Sequence, residues 1–532
     1  MSEQVEKPAS AFAPFHHRAF AVLWVATVVS NVGTWMNDVG NGWLMTTLDP
    51  TPSMVALVQA ATTLPILLFA LLAGAIADIV DRRRLLIVLN VVLGILAAGF
   101  AVLVAGGLAG VGAVLGYAFL AGTAAAFMAP AWQAIVPRLV NRAELTDAVA
   151  LNGMGINVSR AIGPALGGVL IVSLGIAAPY VVNAASFLGI IAALVFWKPE
   201  AGPVRHLPSE RVWGAMGAGV RYAARSAPLK ATLVRSLAFF VCASAFWALL
   251  PLIVRQELDG DAGLYGILLG CVGAGAVGGA FLLPVLRRHM NPNRLVAAGT
   301  LGIAAVMVVF ALVPNAIAAG AAGLVAGLCW ICVMANLNAS AQTAVPDWVR
   351  ARGLSLLLMV FAGSMAAGSM GWGNLADVIG IPETLLAAAG LAVLLVPLVA
   401  RWHLAQGAQL DLTPSLHWPA PPTAFALEHD RGPVLITVSY DVATEDTGAF
   451  LDALALFAHE RRRDGAYRWQ VFEDTERPGQ WTETFLVASW LEHLRQHDRV
   501  TEADRAAQAI VHRYHRGETP PEVRHYVAPA GR

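Results

Sequence analysis

Ionisable and polar side chains inside long apolar runs are the first candidates for chemistry, because a charge placed there is costly and persists where it is used or paired. Two stand out. Asp38 sits in "SNVGTWMNDVGNGWLM" (30–45), among Asn31, Thr34, Trp35, Asn37 and Asn41. Arg160 follows Asp147 by about 20 Å of helix, at 1.5 Å per residue, which places it near the middle of a later apolar run. A third group is "GAIADIVDRRR" (74–84), two acids and three arginines side by side in a chain with only 13% charged residues. A fourth is the pair His493 and His497, four apart on one helical face beside Glu492. Two imidazoles fall short of the three or four ligands of a protein metal site, so no metal and no cofactor is expected. The four cysteines, Cys242, Cys271, Cys329 and Cys332, all lie in apolar segments and read as packing residues.

The elements that must position these groups are membrane helices. The 532 residues are 57% hydrophobic, with a formal net charge of zero and a mean hydropathy of +0.63. No nucleic-acid partner is expected of such a chain. Windows of about 19 residues stay apolar again and again, which is the signature of bilayer-spanning helices. Twelve spans are predicted, near 18–47, 53–79, 84–106, 110–135, 147–173, 177–197, 230–254, 262–286, 294–313, 317–344, 353–378 and 383–401. The first is far longer than a signal-peptide core and has no small-residue cleavage site after it, so it reads as retained. Loops on one side hold Arg82, Arg83, Arg84, Arg138, Arg142, Lys198, Arg205, Arg211, Arg221, Arg225, Lys230, Arg287, Arg288, Arg294, Arg350 and Arg352, whereas the opposite loops show essentially Arg255 alone. Basic loops stay inside, so both termini are expected in the cytoplasm.

The expected order is a cytoplasmic N-terminus (1–17), a six-helix half (18–197), a cytoplasmic central loop (198–229) and a second half (230–402). The halves repeat: "QAIVPRLV" (133–140) matches "QTAVPDWV" (342–349), and "GAIADIVDRRR" matches "GAFLLPVLRRH" (279–289). Parallel repeats of this kind place a substrate path at their interface. Residues 403–432 are Pro-rich and read as a linker. Residues 433–532 read as a soluble module in the order βαββαβ, a ferredoxin-like unit. Thr501 and Asp504 form a capping pair within it, and Arg461–Arg463 read as a solvated face.

These residues carry a resemblance. "GAIADIVDRRR" resembles the signature loop of the major facilitator superfamily: Gly74, Asp78, Arg82, Arg83 and Arg84 match, while Ile79 and Asp81 depart from it. The resemblance implies a conformational-switch loop. Asp78 would sit at the N-terminus of the eleventh helix, where the helix dipole favours a carboxylate, and the arginines would hold acids on neighbouring helices. "SRAIGPALGG" (159–168) resembles the antiporter motif that ends G-P-x-x-G-G, through Gly163, Pro164, Gly167 and Gly168. Its upstream glycines are replaced by Ala150 and Ser159. The motif implies close helix packing and export rather than import.

Residues 15–402 look most like bacterial efflux proteins of the transmembrane secretion effector group, which includes drug and siderophore exporters. One departure is the fourth span, which lacks the arginine that many proton-linked drug antiporters carry there. In this fold the first and fifth helices are neighbours. Asp38 and Arg160 are therefore expected to pair, either as a structural ion pair or as a proton-coupling site. Asn31, Trp35, Phe127, Trp247 and Trp330 are candidates for the substrate cavity. The tail resembles the antibiotic biosynthesis monooxygenase-type dimeric α/β barrel, through "ETFLVASWLEHLRQHDRVTEAD" with Trp490, His493 and His497. It implies a structural or ligand-sensing role and a dimer contact.

The expectation is an all-α membrane protein of twelve helices in two six-helix halves, with an α+β tail, in the plasma (inner) membrane of a bacterium. Its partners would be the lipid bilayer, a small amphiphilic drug- or siderophore-like substrate, and protons taken in exchange by alternating access. No G-x-x-x-x-G-K-[ST] sequence occurs to suggest ATP drive. The rival readings are a bifunctional transporter with an oxygenase tail, and a non-transporting membrane sensor.

Overall fold

The computed structural model describes residues 12–141, 144–197, 212–346, 348–404, 411–415, 417–419, 421, 423, 428 and 430–529, the side chains of 75, 78, 79, 134, 146, 212–216 and 218 excepted. The first eleven residues, Arg142, Lys198, Arg205, Arg211 and the Asp78 side chain lie outside the described residues.

The first half consists of α1 (Arg18–Leu48), α2 (Pro52–Ile79), α3 (Arg82–Ala105), α4 (Val111–Ile135), α5 (Leu145–Leu174) and α6 (Ala178–Phe196). A helix absent from the sequence reading, α7 (Val212–Arg225), occupies the central polar stretch. The second half is α8 (Ala227–Leu252), α9 (Ala262–His289), α10 (Pro292–Leu312), α11 (Ala316–Thr343), α12 (Arg350–Ile379) and α13 (Ile381–Leu398). Twelve of these helices are long and apolar enough to cross a membrane. With few side-chain groups able to satisfy a backbone in lipid, each span must close its own hydrogen bonds.

The repeat is structural. In both halves the third helix packs on the sixth, α3 on α6 and α10 on α13. Each third helix also begins with the same cap: Asp81 accepts from the Arg84 N–H (2.8 Å) and Asn291 from the Arg294 N–H (2.9 Å). Such caps satisfy one of the free donors of a helix start. The cap gives Asp81 a structural task at a position where it departs from the family loop.

The chain divides into two compact units. One contains both six-helix halves; the other joins Glu210–Thr232, Ala339–Leu356 and Leu404–Arg532. The second unit thus takes in more than the tail alone. Its sheet is built from β1 (Val434–Asp441), β2 (Tyr467–Glu473), β3 (Gln480–Val487) and β4 (Glu522–Val527), in the antiparallel order β2-β3-β1-β4. Helix α14 (Thr447–Arg463) follows β1, and α15 (Trp490–Arg499) and α16 (Glu502–His512) follow β3. This is the expected βαββαβ order. Val434, Ile436, Val438 and Tyr440 alternate inward on β1 and pack with Phe450, Leu454, Phe457, Phe485 and Trp490. A complete capping box links Thr501 and Asp504 at the start of α16.

Two readings of the tail are corrected. The described part of 403–432 packs on α16 rather than hanging free: Pro414 bridges to Thr501, and the ring N–H of Trp418 donates to Gln508 (2.8 Å). Arg461–Arg463 are not a solvated face. Arg461 lies against the rings of Trp418, Phe457 and Phe485 and pairs with the buried Glu483 (3.5 Å). Arg463 bonds Asp464 (3.0 Å) and Asp504 (2.8 Å) and sits over the ring of Tyr222 on α7 (5.4 Å).

Candidate functional site

The polar residues of α1 fall on several faces, and the helices around it determine what each one meets. Asn37 and Asn41 are buried. The Asn37 amide donates to the Tyr117 hydroxyl on α4, and the Tyr180 hydroxyl on α6 donates to the Asn41 carbonyl oxygen (3.1 Å). Tyr117 stacks on Phe100 of α3 at 4.4 Å, and Tyr180 meets the same ring edge-on at 4.9 Å. A polar-aromatic knot therefore ties α1 to three other helices. Tyr117 and Tyr180 were missed in the sequence, where the signal would have been hydroxyls placed inside apolar spans.

Asp38 is different: it is accessible. At about 100° per residue it lies roughly half a turn round α1 from the exposed Val22, Val25 and Val29. The apolar valines suit lipid, and Asp38 lies on the opposite side of α1 from them. Thr34, one turn earlier, is exposed on the same side.

The expected ion pair with Arg160 is not formed. The Arg160 guanidinium lies over the Trp35 ring, 5.1 Å from its centroid, and its Nε has no hydrogen-bond partner among the described residues. The reason is packing: α5 meets α1 on the Trp35 side. A methyl group on Gly163 would lie 2.5 Å from the Trp35 Cβ, and one on Gly167 would lie 3.0 Å from the Met36 Cα. Gly168 turns the other way, where a methyl group would meet the Ala262 carbonyl oxygen at 2.6 Å on α9. Pro164 lies within this segment of α5. The motif glycines thus serve two crossings, one within the first half and one between halves.

Of the cavity candidates, Asn31, Trp35, Phe127 and Trp247 are half-buried. Trp330 is buried in an aromatic cluster with Phe239, Phe240, Trp247 and Phe361, so its place is in the core of the second half.

The halves are clasped at the end that carries the α1–α2 turn. Arg255 donates to the hydroxyls of Thr46 and Thr47 (3.1 Å each), the Gln256 amide to the Pro50 carbonyl (3.3 Å), and the Ser53 N–H to Asp377 (3.2 Å). The lone arginine among the sparsely charged loops is an inter-half clasp. At the opposite end, Arg83 donates to the Leu194 and Val195 carbonyls (2.7 and 2.6 Å), and Arg82 to the Ala77 carbonyl (3.2 Å). Arg83 therefore caps the C-terminus of α6, where free carbonyls attract a cation, in place of the expected acid on a neighbouring helix. Among the described residues Gly74 has no atom within 4 Å of where its Cβ would be, and Arg84 is exposed.

A family model described as transmembrane secretion effector matches residues 9–532. The chain belongs to the transmembrane secretion effector family. Relatives of this family member include the staphyloferrin A transporter of Staphylococcus aureus, 24% identical over 66% of this chain and 88% of its own. The multidrug efflux pump Tap of Mycobacterium bovis is 27% identical over 74% and 96%, and the enterobactin exporter EntS of Salmonella typhi is 26% identical over 56% and 71%. Among solved structures, an inward-facing bacterial homologue of the human lysosomal transporter Spinster is similar, with a TM-score of 0.58 at 14% identity over 73% of this chain and 97% of its own. The nucleoside transporter NupG is similar at 0.60 and 12%, over 72% and 99%. At such identities the likeness shows the fold, that of major facilitator transporters. Like its family, this secretion effector protein is a multi-pass membrane transporter of small molecules and not an enzyme.

Proposed function

We propose that the protein exports a small amphiphilic molecule by alternating access, taking up protons in exchange, with both termini in the cytoplasm. The observation that carries this reading is Asp38: an accessible carboxylate on the side of α1 away from its lipid-suited valines, with no cation paired to it among the described residues. Such a group can bind and release a proton as its surroundings change. Drug and siderophore exporters among the relatives support the substrate class and the direction. The clasp of Arg255 on Thr46 and Thr47 is the contact that alternating access would open. The Lys/Arg bias of the loops supports the orientation.

The test is efflux of a panel of fluorescent amphiphiles from proteoliposomes with an imposed pH gradient. Wild type should respond to the gradient, whereas Asp38→Asn should lose that response and keep substrate exchange. Gradient-driven efflux at the wild-type rate in Asp38→Asn removes the coupling role.

The tail supports a dimer contact. Across the sheet, Tyr467, Leu486, Leu435 and Tyr526 lie side by side in register, on the face away from the β1 residues that pack the core. An apolar row of this kind suits a second copy. Leu435→Asp should convert a detergent-solubilised dimer to monomers, measured by light scattering.

A further inference from the structure

We propose that His493, His497 and His525 form a binding site for a divalent transition-metal ion of the zinc class, with one coordination position open to an outside ligand. His493 and His497 project from one face of α15, one turn apart. The third imidazole comes from β4, where His525 stands opposite Ile436 of β1. Ring centroids are 4.8 Å apart for His493–His497 and 4.6 Å for His493–His525. One ring nitrogen from each can be chosen so that all three lie within 4.8 Å of one another.

Among the described residues, three of the six ring nitrogens lack other employment. His493 is 3% exposed, and neither of its nitrogens has a hydrogen-bond partner; Nδ1 of His497 is also unpartnered. Buried polar atoms of a native fold are rarely left so, and a metal ion satisfies these lone pairs. The adjacent Gln496 amide is engaged with the Asp464 carbonyl (3.2 Å). Burial is the largest cause that holds His493 down at about 3, with His525 and His497 adding to it, and burial lowers His497 and His525 as well. The neutral imidazole is the form that binds metal.

The donor set selects the ion. Glu492, next to His493 in sequence, turns to Arg499 (2.6 Å), so the three donors are all nitrogen. Calcium and magnesium need oxygen ligands, whereas imidazoles suit zinc, copper, nickel and cobalt. Three protein ligands with a free position is the pattern of open zinc sites. Metal–nitrogen bonds of about 2.0–2.1 Å put tetrahedral ligands roughly 3.3 Å apart, a contraction that rotation of the imidazoles supplies. Trp490 (5.4 Å from His493) and Trp418 (5.2 Å from His497) flank the site.

The experiment uses the full chain, without a polyhistidine tag, purified in detergent and stripped with chelator. Zinc titration by calorimetry should give one ion per chain with a Kd of roughly micromolar or tighter, and excess magnesium should not compete. His497→Ala and His525→Ala should each weaken binding more than about 100-fold, while His459→Ala on α14 should bind as wild type. His497→Cys should keep cobalt and add a thiolate-to-cobalt charge-transfer band, a direct sign of ligation that does not rely on a loss. No saturable one-to-one binding in wild type, undiminished affinity in both alanine variants, or cobalt bound to His497→Cys without that band would each overturn the site.

Discussion

The Arg160 guanidinium lies over the face of Trp35, 5.1 Å from the ring centroid, although a carboxylate, Asp38, is one turn further along the same helix. A desolvated cation–π contact contributes about 2 kcal/mol. Trp35→Leu should therefore lower the stability of the detergent-solubilised protein by about that amount, with Trp35→Phe intermediate. Asp38→Asn should leave the melting temperature unchanged, since no ion pair is lost. A melting temperature that falls in Asp38→Asn as far as in Arg160→Gln would reinstate the pair.

Gly273 on α9 fits so closely that a methyl group there would lie 2.3 Å from the Ala161 Cα of α5. Overpacking of this kind costs about 1–3 kcal/mol, and here it falls on a contact between the halves. Gly273→Ala should shift the population away from the clasped arrangement. Spin labels at the exposed Leu48 and Asp259, next to the clasp residues but not among them, would read this as a longer mean distance. Gly371→Ala, on α12 with nothing near its Cβ, is the control and should leave the distance unchanged.

For the switch loop, Arg83→Ala removes charge-assisted bonds to the Leu194 and Val195 carbonyls. Such bonds contribute about 1.5–3 kcal/mol, so the variant should unfold at lower temperature and exchange amide hydrogens faster at the end of α6. Arg83→Lys, a point charge in place of a fork, should restore part of the protection. Unchanged exchange at residues 190–196 in Arg83→Ala would leave the arginine with a purely topological role.

Glu460 gives the tail a pH dependence of defined sign. Burial, partly opposed by Arg463 and reinforced by Asp504 and Asp464, pushes its carboxyl from 4.5 up to about 7. The folded state then holds the proton more tightly than the unfolded chain. Its contribution is complete below pH 4.5 and is lost as pH rises through about 7. The melting temperature of Glu460→Gln minus that of wild type should be near zero at the acid end and grow between these limits. Subtraction removes the histidines, which are common to both proteins. A difference that stays flat with pH contradicts this assignment.

How much was legible in the sequence follows from which properties are local. The twelve spans form within three residues of their expected ends, because span length and hydropathy belong to one segment at a time. The cap at Thr501 is local too, a side chain reaching three residues ahead. The repeat of halves was visible as spaced motifs, and the same spacing yields matched caps and matched helix pairs.

Contacts between distant segments were not legible. Asp38 and Arg160 could be named as the intramembrane charges, but the rotation of α5 against α1, imposed by Gly163 and Gly167, puts the cation on Trp35. Three arginines at the end of α14 look like a solvated triplet until Trp418, Glu483, Asp504 and Tyr222 arrive from elsewhere in the chain. His493 and His497 advertise themselves by helical spacing, whereas His525 joins them only because β4 pairs with β1 beneath α15. The sequence alone determined what each helix is and which residues are costly to place in it. Which costly residues meet depends on the register and rotation of packed elements, and those are settled only when the whole surface of each element finds its partner.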